Sequence, residues 1–332
     1  MKKTLIGAIL ALALPFAAQA QEGGIPNPTR APFLESITGK RVIYIPMAMG
    51  LDLTEGWNRI MQAQAERFGY TVEVRDANWS TEAGARALTA AINEHPDLIV
   101  LQNADVQSYA RLIGRAADAG IPVMQLNMES LTTSDAYVGA DWQGIGEESA
   151  RLLVEQCGAG TDTSHQVQIV FGVPTAPADL YEIYGFLSVM AEHPEIEIVS
   201  QQAAAYDPTR ARAITASVLQ QYPNLCGSFG IWDSMDAGTG AAVLEAGLQD
   251  QVFVVTSGGG SETTCEKLRE GIFDAVVAYD VRQQGIAINT MILDLLTTGH
   301  QADRPTTVVY TANTIQTRDS LRPGSCWSMD DL

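Results

Sequence analysis

The sequence lacks the short motifs that mark common hydrolase, protease and nucleotide sites. It contains no GxSxG turn, no HExxH helix and no GxxxxGK[ST] loop, which argues against a nucleophile elbow, a zinc protease site and a P-loop. Gly144 and Gly146 begin a dinucleotide-like pattern, but no third glycine follows. The four histidines all fall in turn-like positions. Since no base, nucleophile and orienting group can be assembled, we expect no catalytic residues, no metal and no cofactor.

Basic residues are also scarce. The chain has 20 Lys and Arg against 39 Asp and Glu, which gives a net charge of −19 over 332 residues. Such a surface repels phosphate, so the composition argues against a nucleic-acid partner. Beyond the N-terminus no apolar run is long enough to span a bilayer. We therefore expect membrane contact only through a partner.

The N-terminus has the pattern of a secretory signal peptide. Lys2 and Lys3 precede an apolar run over 5–16, and small residues at 18–20 suit a signal peptidase. The sequence predicts a signal peptide over residues 1–20 and a mature chain of net charge about −21, outside the cytoplasm. A short membrane anchor is the alternative.

Cysteine is limited to four residues, Cys157, Cys226, Cys265 and Cys326, all in the predicted mature chain. An even number in an exported protein indicates two disulfides. No CxxC spacing supports a zinc or redox site, and spacing alone leaves three pairings open.

What the sequence does contain is a regular alternation of strands and helices. Short apolar β-branched runs such as 41–47 and 98–101 alternate with amphipathic stretches such as 55–68. This order predicts βαβ units and parallel sheets. The junctions 93–97 and 191–195 resemble each other, each lying between a helix and an apolar strand. The pattern predicts an α/β protein with two similar doubly wound lobes.

Several segments together resemble the periplasmic sugar-binding proteins of the ribose-binding type (type I), which serve ABC importers. The resemblance covers nearly all of 39–314. It is carried by these segments in order: Glu66-Arg67-Phe68-Gly69-Tyr70, Leu98-Ile99-Val100-Leu101-Gln102-Asn103, Ala119-Gly120-Ile121-Pro122-Val123, Val138-Gly139-Ala140-Asp141-Trp142 and Phe229-Gly230-Ile231-Trp232-Asp233-Ser234-Met235.

The resemblance implies two lobes joined by a three-stranded hinge, with a ligand held between them. It divides the chain into an N-terminal lobe, 21–139 plus 280–304, and a C-terminal lobe, 140–279 plus 305–332. All four cysteines then fall in the second lobe. On this basis we expect the pairs Cys157–Cys226 and Cys265–Cys326.

Ligands of open α/β sheets bind beyond the carboxyl ends of the strands. The loops at those ends supply aromatic rings for sugar C–H faces and polar groups for hydroxyls; Asn78 and Trp79 lie in one of them. The candidate ligand-binding residues are Asp52, Trp57, Gln102, Asn103, Asn127, Asp141, Trp142, Tyr206, Trp232, Asp233, Ser257 and Tyr279. Trp57 could instead be a core residue, and Asp141 and Asp233 could be helix caps.

The chain departs from the ribose binders where they use arginine. Asn127-Met128 stands in place of an Asp-Arg pair, and Leu180 or its neighbours in place of a second arginine. Without these two arginines, which grip hydroxyl groups and anions by paired hydrogen bonds, a polyol, a deoxy-sugar or a less polar molecule is favoured. An aromatic box with carboxylates would also suit an amine. The expected function is a monomeric periplasmic binding protein that delivers a small neutral polyhydroxy ligand to an ABC permease. A ligand sensor for a chemoreceptor or sensor kinase, or an exported enzyme, are the alternatives.

Overall fold

Twelve strands and ten α-helices alternate along the chain in a computed structural model, which describes residues 25–332. The predicted signal peptide over 1–20 lies outside the described residues. The strands are β1 (Arg41–Ile45), β2 (Thr71–Val74), β3 (Leu98–Leu101), β4 (Val123–Leu126), β5 (Ala136–Ala140), β6 (Gln166–Phe171), β7 (Glu197–Ala203), β8 (Gly227–Gly230), β9 (Phe253–Gly258), β10 (Ala275–Ala278), β11 (Thr307–Thr311) and β12 (Thr314–Thr317). The helices are α1 (Arg30–Ile37), α2 (Asp52–Phe68), α3 (Thr81–Glu94), α4 (Ala110–Asp118), α5 (Trp142–Cys157), α6 (Pro177–Met190), α7 (Pro208–Gln221), α8 (Asp233–Glu245), α9 (Glu262–Glu270) and α10 (Val281–Thr298), followed by a short 3₁₀ turn at Met329–Asp331.

Helix ends follow the local sequence signals. Helix α2 buries Trp57, Met61 and Ala65 on one face and ends at Gly69, whose φ of 77° is left-handed. Helix α3 begins at Ser80, whose side chain accepts a hydrogen bond from the backbone N–H of Ala83. Both boundaries match the sequence predictions. None of the helices described is both long and apolar enough to cross a membrane.

Two six-stranded sheets form the two lobes. The first has the order β11-β5-β4-β3-β1-β2 and is parallel throughout. The second has the order β12-β10-β9-β8-β6-β7, in which only the β10–β12 pair is antiparallel. Apart from the added edge strand, both sheets have the same doubly wound order, which confirms the predicted fold class of two similar lobes.

The chain passes between the sheets at three places. It crosses after β5 at Asp141, after β10 at 279–280, and between β11 and β12 at 312–313. The resemblance placed 305–332 in the second lobe, whereas β11 extends the first sheet by pairing with β5. Two short β-branched runs follow each other here, and only their long-range pairing decides to which sheet each belongs.

Both predicted disulfides are present in the second lobe. Cys157, at the end of α5, bonds to Cys226, just before β8, with their Cα atoms 5.9 Å apart. Cys265 on α9 bonds to Cys326 in the C-terminal tail, with Cα atoms 6.3 Å apart. The pairing expected from the resemblance is confirmed, and the second bond fixes the tail to the body of the lobe.

Candidate functional site

Loops from the carboxyl ends of both sheets meet around an inner cavity of about 60 Å³ between the lobes. Because this volume is far below the 300 Å³ or more usual for drug-sized ligands, the cavity suits a small molecule. The first lobe contributes Met47, Leu51, Leu53, Thr54, Trp79, Gln102, Asn127 and Met128 to its lining. The second lobe and the hinge contribute Trp142, Ala178, Tyr206, Ile231, Trp232 and Tyr279.

Three aromatic rings are shared by the inner cavity and a larger outer cleft. Trp79 of the first lobe lies with its ring centroid 5.9 Å from Tyr206 and 6.2 Å from Trp232, both of the second lobe. Tyr206 and Trp232 pack edge to face at 5.8 Å. All three rings also line an outer cleft of about 800 Å³, and Trp79 is 49% exposed. This aromatic gate therefore lies at the boundary between the inner cavity and the outer cleft.

The loops of the gate carry unusual backbone conformations. Of the eight non-glycine residues with positive φ in the described part of the chain, six lie at the cleft or hinge: Asn78, Trp79, Asn127, Ala205, Tyr206 and Asp280. Such conformations cost energy for residues with a Cβ and persist where the surroundings enforce them, frequently at functional sites. Their concentration here supports a functional role for the cavity.

Two amide side chains at the cavity are held by their oxygen atoms. The side-chain oxygen of Gln102 accepts a hydrogen bond from the backbone N–H of Met47 at 3.0 Å. The side-chain oxygen of Asn127 accepts from the backbone N–H of Ala140 and from Gln284 Nε2, both at 2.9 Å. Because these bonds occupy the oxygens, each amide presents its NH₂ group to the cavity.

Two of the aromatic side chains are also fixed by hydrogen bonds. The indole N–H of Trp142 donates to the backbone oxygen of Asn127 at 2.6 Å. The hydroxyl of Tyr206 donates to Asp179, which also accepts from the backbone N–H groups of Gly172 and Val173. Burial raises the pKa of Asp179 to about 6. The polar groups of Trp142 and Tyr206 are thus used inside the protein and their rings face the cavity.

Further carboxyl groups lie buried behind the cavity wall. Burial raises the pKa of Asp236 to about 7. Burial, together with the neighbouring Asp179, raises the pKa of Glu182 well above its ordinary value. Neither Asp236 nor Glu182 lines the inner cavity. Both side chains belong to the buried interior of the second lobe.

A separate polar pocket of about 220 Å³ lies on the other side of Leu51 and Leu53. It is lined by Asp52 of the first lobe and by Asp233, Thr264 and Lys267 of the second, among others. Asp233 is only 7% exposed and accepts a hydrogen bond from Thr264 Oγ1 at 2.5 Å. Trp232 lines both pockets, whereas the carboxylates of Asp52 and Asp233 line only the polar one.

The structure brings together half of the residues proposed from the sequence. Those lining the inner cavity are Gln102, Asn127, Trp142, Tyr206, Trp232 and Tyr279. Asp52 and Asp233 line the polar pocket instead. That these eight contact a ligand remains a proposal.

The other four proposed residues line neither pocket, and each is hydrogen-bonded within the protein. Trp57 is fully buried in the first lobe's core, where its indole N–H donates to Gln284 Oε1 at 3.1 Å. Asn103 donates to Gln125 and to the backbone oxygen of Met128. Asp141 caps α5 by accepting from Gly144 N–H at 3.0 Å. Ser257 donates to Ile231 O at 2.6 Å.

Sequence reasoning missed the apolar part of the lining. Met47, Leu51, Leu53, Ala178 and Ile231 line the inner cavity but were not singled out. The available signal was the run Met47-Ala48-Met49-Gly50-Leu51 directly after β1, where several apolar side chains occupy a loop that should face solvent. Apolar residues in a loop at the carboxyl end of a strand should therefore be considered as ligand-binding candidates in the same way as polar residues.

Comparison with known proteins identifies relatives of this architecture. The profile of the family described as "Periplasmic binding protein domain" matches residues 42–301. The D-apiose import binding protein of Actinobacillus succinogenes is 27% identical over 194 residues, 58% of this chain and 61% of that protein. The D-ribose/D-allose-binding protein of Pseudomonas aeruginosa is 25% identical over 212 residues, 62% of this chain and 65% of that protein. The chain thus spans somewhat less than two thirds of these relatives' length.

Solved structures share the fold at low sequence identity. The glucose-galactose binding protein GanP of Geobacillus stearothermophilus superimposes with a TM-score of 0.75 at 19% identity, covering 85% of this chain and 99% of that one. An ABC transporter solute binding protein of Agrobacterium vitis with bound D-fucose gives a TM-score of 0.77 at 17% identity, covering 89% and 99%. With the two doubly wound lobes, the interlobe cavity and a profile match over most of its length, the chain belongs to the periplasmic binding protein domain family.

Proposed function

We propose that this protein is an extracytoplasmic solute-binding protein that captures a small neutral ligand in the inner cavity and delivers it to an ABC permease. One observation carries the proposal: aromatic rings from both lobes meet at the inner cavity, since Trp79 lies against Tyr206 and Trp232 across the cleft. The relatives' descriptions as D-apiose import and D-ribose/D-allose binding proteins support transport. They make sugars and polyols the first ligands to test.

Capture works by closure of the two lobes about the three crossing segments. A ligand that contacts Gln102 and Asn127 in one lobe and Tyr206 and Trp232 in the other stabilises the closed arrangement more than any open one, which shifts the population towards closure. A permease can then distinguish loaded from empty protein by the relative placement of the lobes. The mechanism needs no covalent step.

The proposal includes a location outside the cytoplasm. Two disulfides in one lobe favour an oxidising compartment. The signal-peptide pattern over residues 1–20, with Lys2 and Lys3, agrees with export. The mass of the exported protein tests this directly, because retention of both lysines would contradict cleavage.

The central test is Trp232→Ala. The protein is unfolded and refolded to remove carried ligand, and a thermal-shift panel of sugars, polyols, small ketones, alcohols and amines identifies a ligand. Removing the ring that lines the cavity should then weaken binding by about tenfold or more in calorimetry, because buried aromatic contacts dominate such sites.

The matched control is Tyr184→Ala, which removes an aromatic ring that is 63% exposed on α6. It should leave affinity unchanged. An unaltered dissociation constant in Trp232→Ala would remove the inner cavity as the ligand site.

A further inference from the structure

The inner cavity offers hydrogen-bond donors but few acceptors. The NH₂ groups of Gln102 and Asn127 are free because their oxygens are bonded to backbone and side-chain N–H groups. None of the lining residues, all within 25–332, carries a carboxylate. The side-chain acceptors that remain are the second lone pair of Gln102 Oε1 and the hydroxyl oxygens of Thr54, Tyr206 and Tyr279; no described residue is hydrogen-bonded to the hydroxyl of Tyr279.

This inventory conflicts with a ligand rich in hydroxyl groups. Each hydroxyl of a sugar donates a hydrogen bond, and a buried donor without an acceptor costs about tenfold or more in affinity. The few lining oxygens would have to accept every such bond, and two of them, those of Thr54 and Tyr206, already donate to Leu51 and Asp179. The carboxylates of Asp52 and Asp233, which could accept more, line the neighbouring polar pocket, which shares Leu51, Leu53 and Trp232 with the inner cavity.

Charged ligands fit the cavity no better. A cation would meet two amide NH₂ groups and no lining carboxylate, since the Asp179 carboxyl is covered by its bonds to Tyr206, Gly172 and Val173. An anion would find no lining Arg or Lys and would lie near the buried carboxyls of the second lobe. Both would lose their hydration in a largely apolar enclosure.

We propose that the inner cavity binds a small, neutral, mostly apolar carbonyl compound or alcohol with few hydroxyl groups. The carbonyl or hydroxyl oxygen accepts from Gln102 Nε2 and Asn127 Nδ2, and a ligand hydroxyl, where present, donates to Tyr279. The hydrocarbon part packs on Met47, Met128 and Trp232. This inference rests on the proposed function, namely that the inner cavity is the ligand site, and differs from the sugars named for the relatives.

The test is calorimetric titration of the refolded, ligand-free mature chain with four five-carbon probes: cyclopentanone, cyclopentanol, D-ribose and cyclopentylamine. The expected result is that the ketone and the alcohol bind, whereas the sugar and the amine bind at least tenfold more weakly. Failure of both the ketone and the alcohol to bind up to their solubility would overturn the inference.

Three variants locate the hydrogen bonds. Gln102→Met keeps the side-chain length, removes the NH₂ donor together with the oxygen that accepts from the backbone N–H of Met47, and should weaken both cyclopentanone and cyclopentanol about tenfold. Tyr279→Phe removes only the hydroxyl and should weaken the alcohol several-fold more than the ketone. Gln201→Met is the matched control: it makes the same Gln-to-Met substitution at an exposed position on strand β7 and should leave the affinities for cyclopentanone and cyclopentanol unchanged.

The remaining outcomes separate this inference from the proposed function. If D-ribose binds more tightly than the ketone and Gln102→Met weakens it, the cavity is the ligand site but the ligand class is wrong. If a probe binds and neither Gln102→Met nor Trp232→Ala alters its affinity, the site itself is wrong and both proposals fall.

Discussion

Asp236 shows how a single buried carboxyl supports the cavity wall. It lies fully buried on α8, where it accepts hydrogen bonds from Thr256 Oγ1 at 2.7 Å and from the backbone N–H of Trp232 at 3.2 Å. The carboxyl also requires Gly230, since a Cβ there would lie 1.9 Å from an Asp236 oxygen. The loop that presents Trp232 to the cavity is thus held from behind by a group outside the lining.

The raised pKa of Asp236 predicts a pH dependence of stability. Its ordinary value is 3.8, and in the folded protein burial raises the pKa to about 7. Between these values the folded state holds a proton that the unfolded state has released, so the free energy of unfolding falls as pH rises from about 4 to about 7. The fall is complete above the folded pKa. Urea unfolding at pH 5 and at pH 8 measures it.

Asp236→Asn is the comparison for that experiment. The amide does not titrate, so the variant should lose less stability than the wild type between the two pH values. Part of the fall should remain, because the pKa values of Asp179 and Glu182 are also raised by burial. Equal pH dependence in both proteins would show that Asp236 does not hold this proton.

Helices α5 and α6 pack with their backbones in direct contact through two glycines. A Cβ on Gly146 would lie 1.9 Å from the backbone oxygen of Glu182, and a Cβ on Gly185 would lie 2.0 Å from that of Gln143. Both glycines are inside helices, where glycine normally lowers stability. Their presence is explained by the close approach of the two helices, which also sets the positions of Trp142 and Ala178 at the cavity.

Gly146→Ala should therefore destabilise the protein although alanine favours helices. The added methyl group overlaps a backbone atom that no rotamer change can move, and overpacking of this kind costs about 1–3 kcal/mol. Gly114→Ala is the matched control in α4, since a Cβ there meets nothing within 4 Å. The control should gain up to about 1 kcal/mol. Chemical unfolding compares them, and similar effects of the two substitutions would contradict the packing argument.

The C-terminal tail connects the two lobes in addition to the three crossing segments. Cys326 is bonded to Cys265 of the second lobe. The next residue, Trp327, is 1% exposed and belongs to the core of the first lobe, near Gly56 and Val281, while its indole N–H donates to the oxygen of Gly259 at 2.7 Å. The tail is thus anchored on both sides of the hinge and must move with any closure.

Removal of the two disulfides should have different effects on the C-terminal tail. Their sequence separations of 69 and 61 residues are similar, so chain entropy assigns each about 4 kcal/mol. Replacing Cys265 and Cys326 by serine should in addition release the tail, so that trypsin cleaves after Arg318, whose Nε donates to the backbone oxygen of Leu268; Arg322 precedes Pro323 and is not a trypsin site. Replacing Cys157 and Cys226 should lower the melting temperature but keep the tail protected.

Limited proteolysis followed by mass spectrometry makes the comparison. Equal trypsin resistance of the C-terminus in both double variants would show that docking of Trp327 holds the tail without the disulfide.

The periodicity of apolar residues was sufficient to predict the strands and helices, because it is a local property of the sequence. Alternating strand and helix lengths indicate parallel sheets, and the ends of α2 and α3 follow from Gly69 and Ser80. The same periodicity places Trp57 on the face of α2 shared with Met61 and Ala65, which is the core face. The sheet to which β11 belongs depends on pairing with β5, a contact between residues far apart in sequence.

The sequence by itself determined the two-lobed α/β architecture and which loops surround the cleft. The alternation of strands and helices along the chain, and the positions where strands end, are local patterns that the sequence shows directly. Only the tertiary structure decided which side chains line the inner cavity. Left-handed residues such as Trp79 and Tyr206 aim their rings across the cleft, and the carboxylates of Asp52 and Asp233 line a neighbouring pocket instead of the inner cavity. These directions arise from contacts between lobes, which no local pattern encodes.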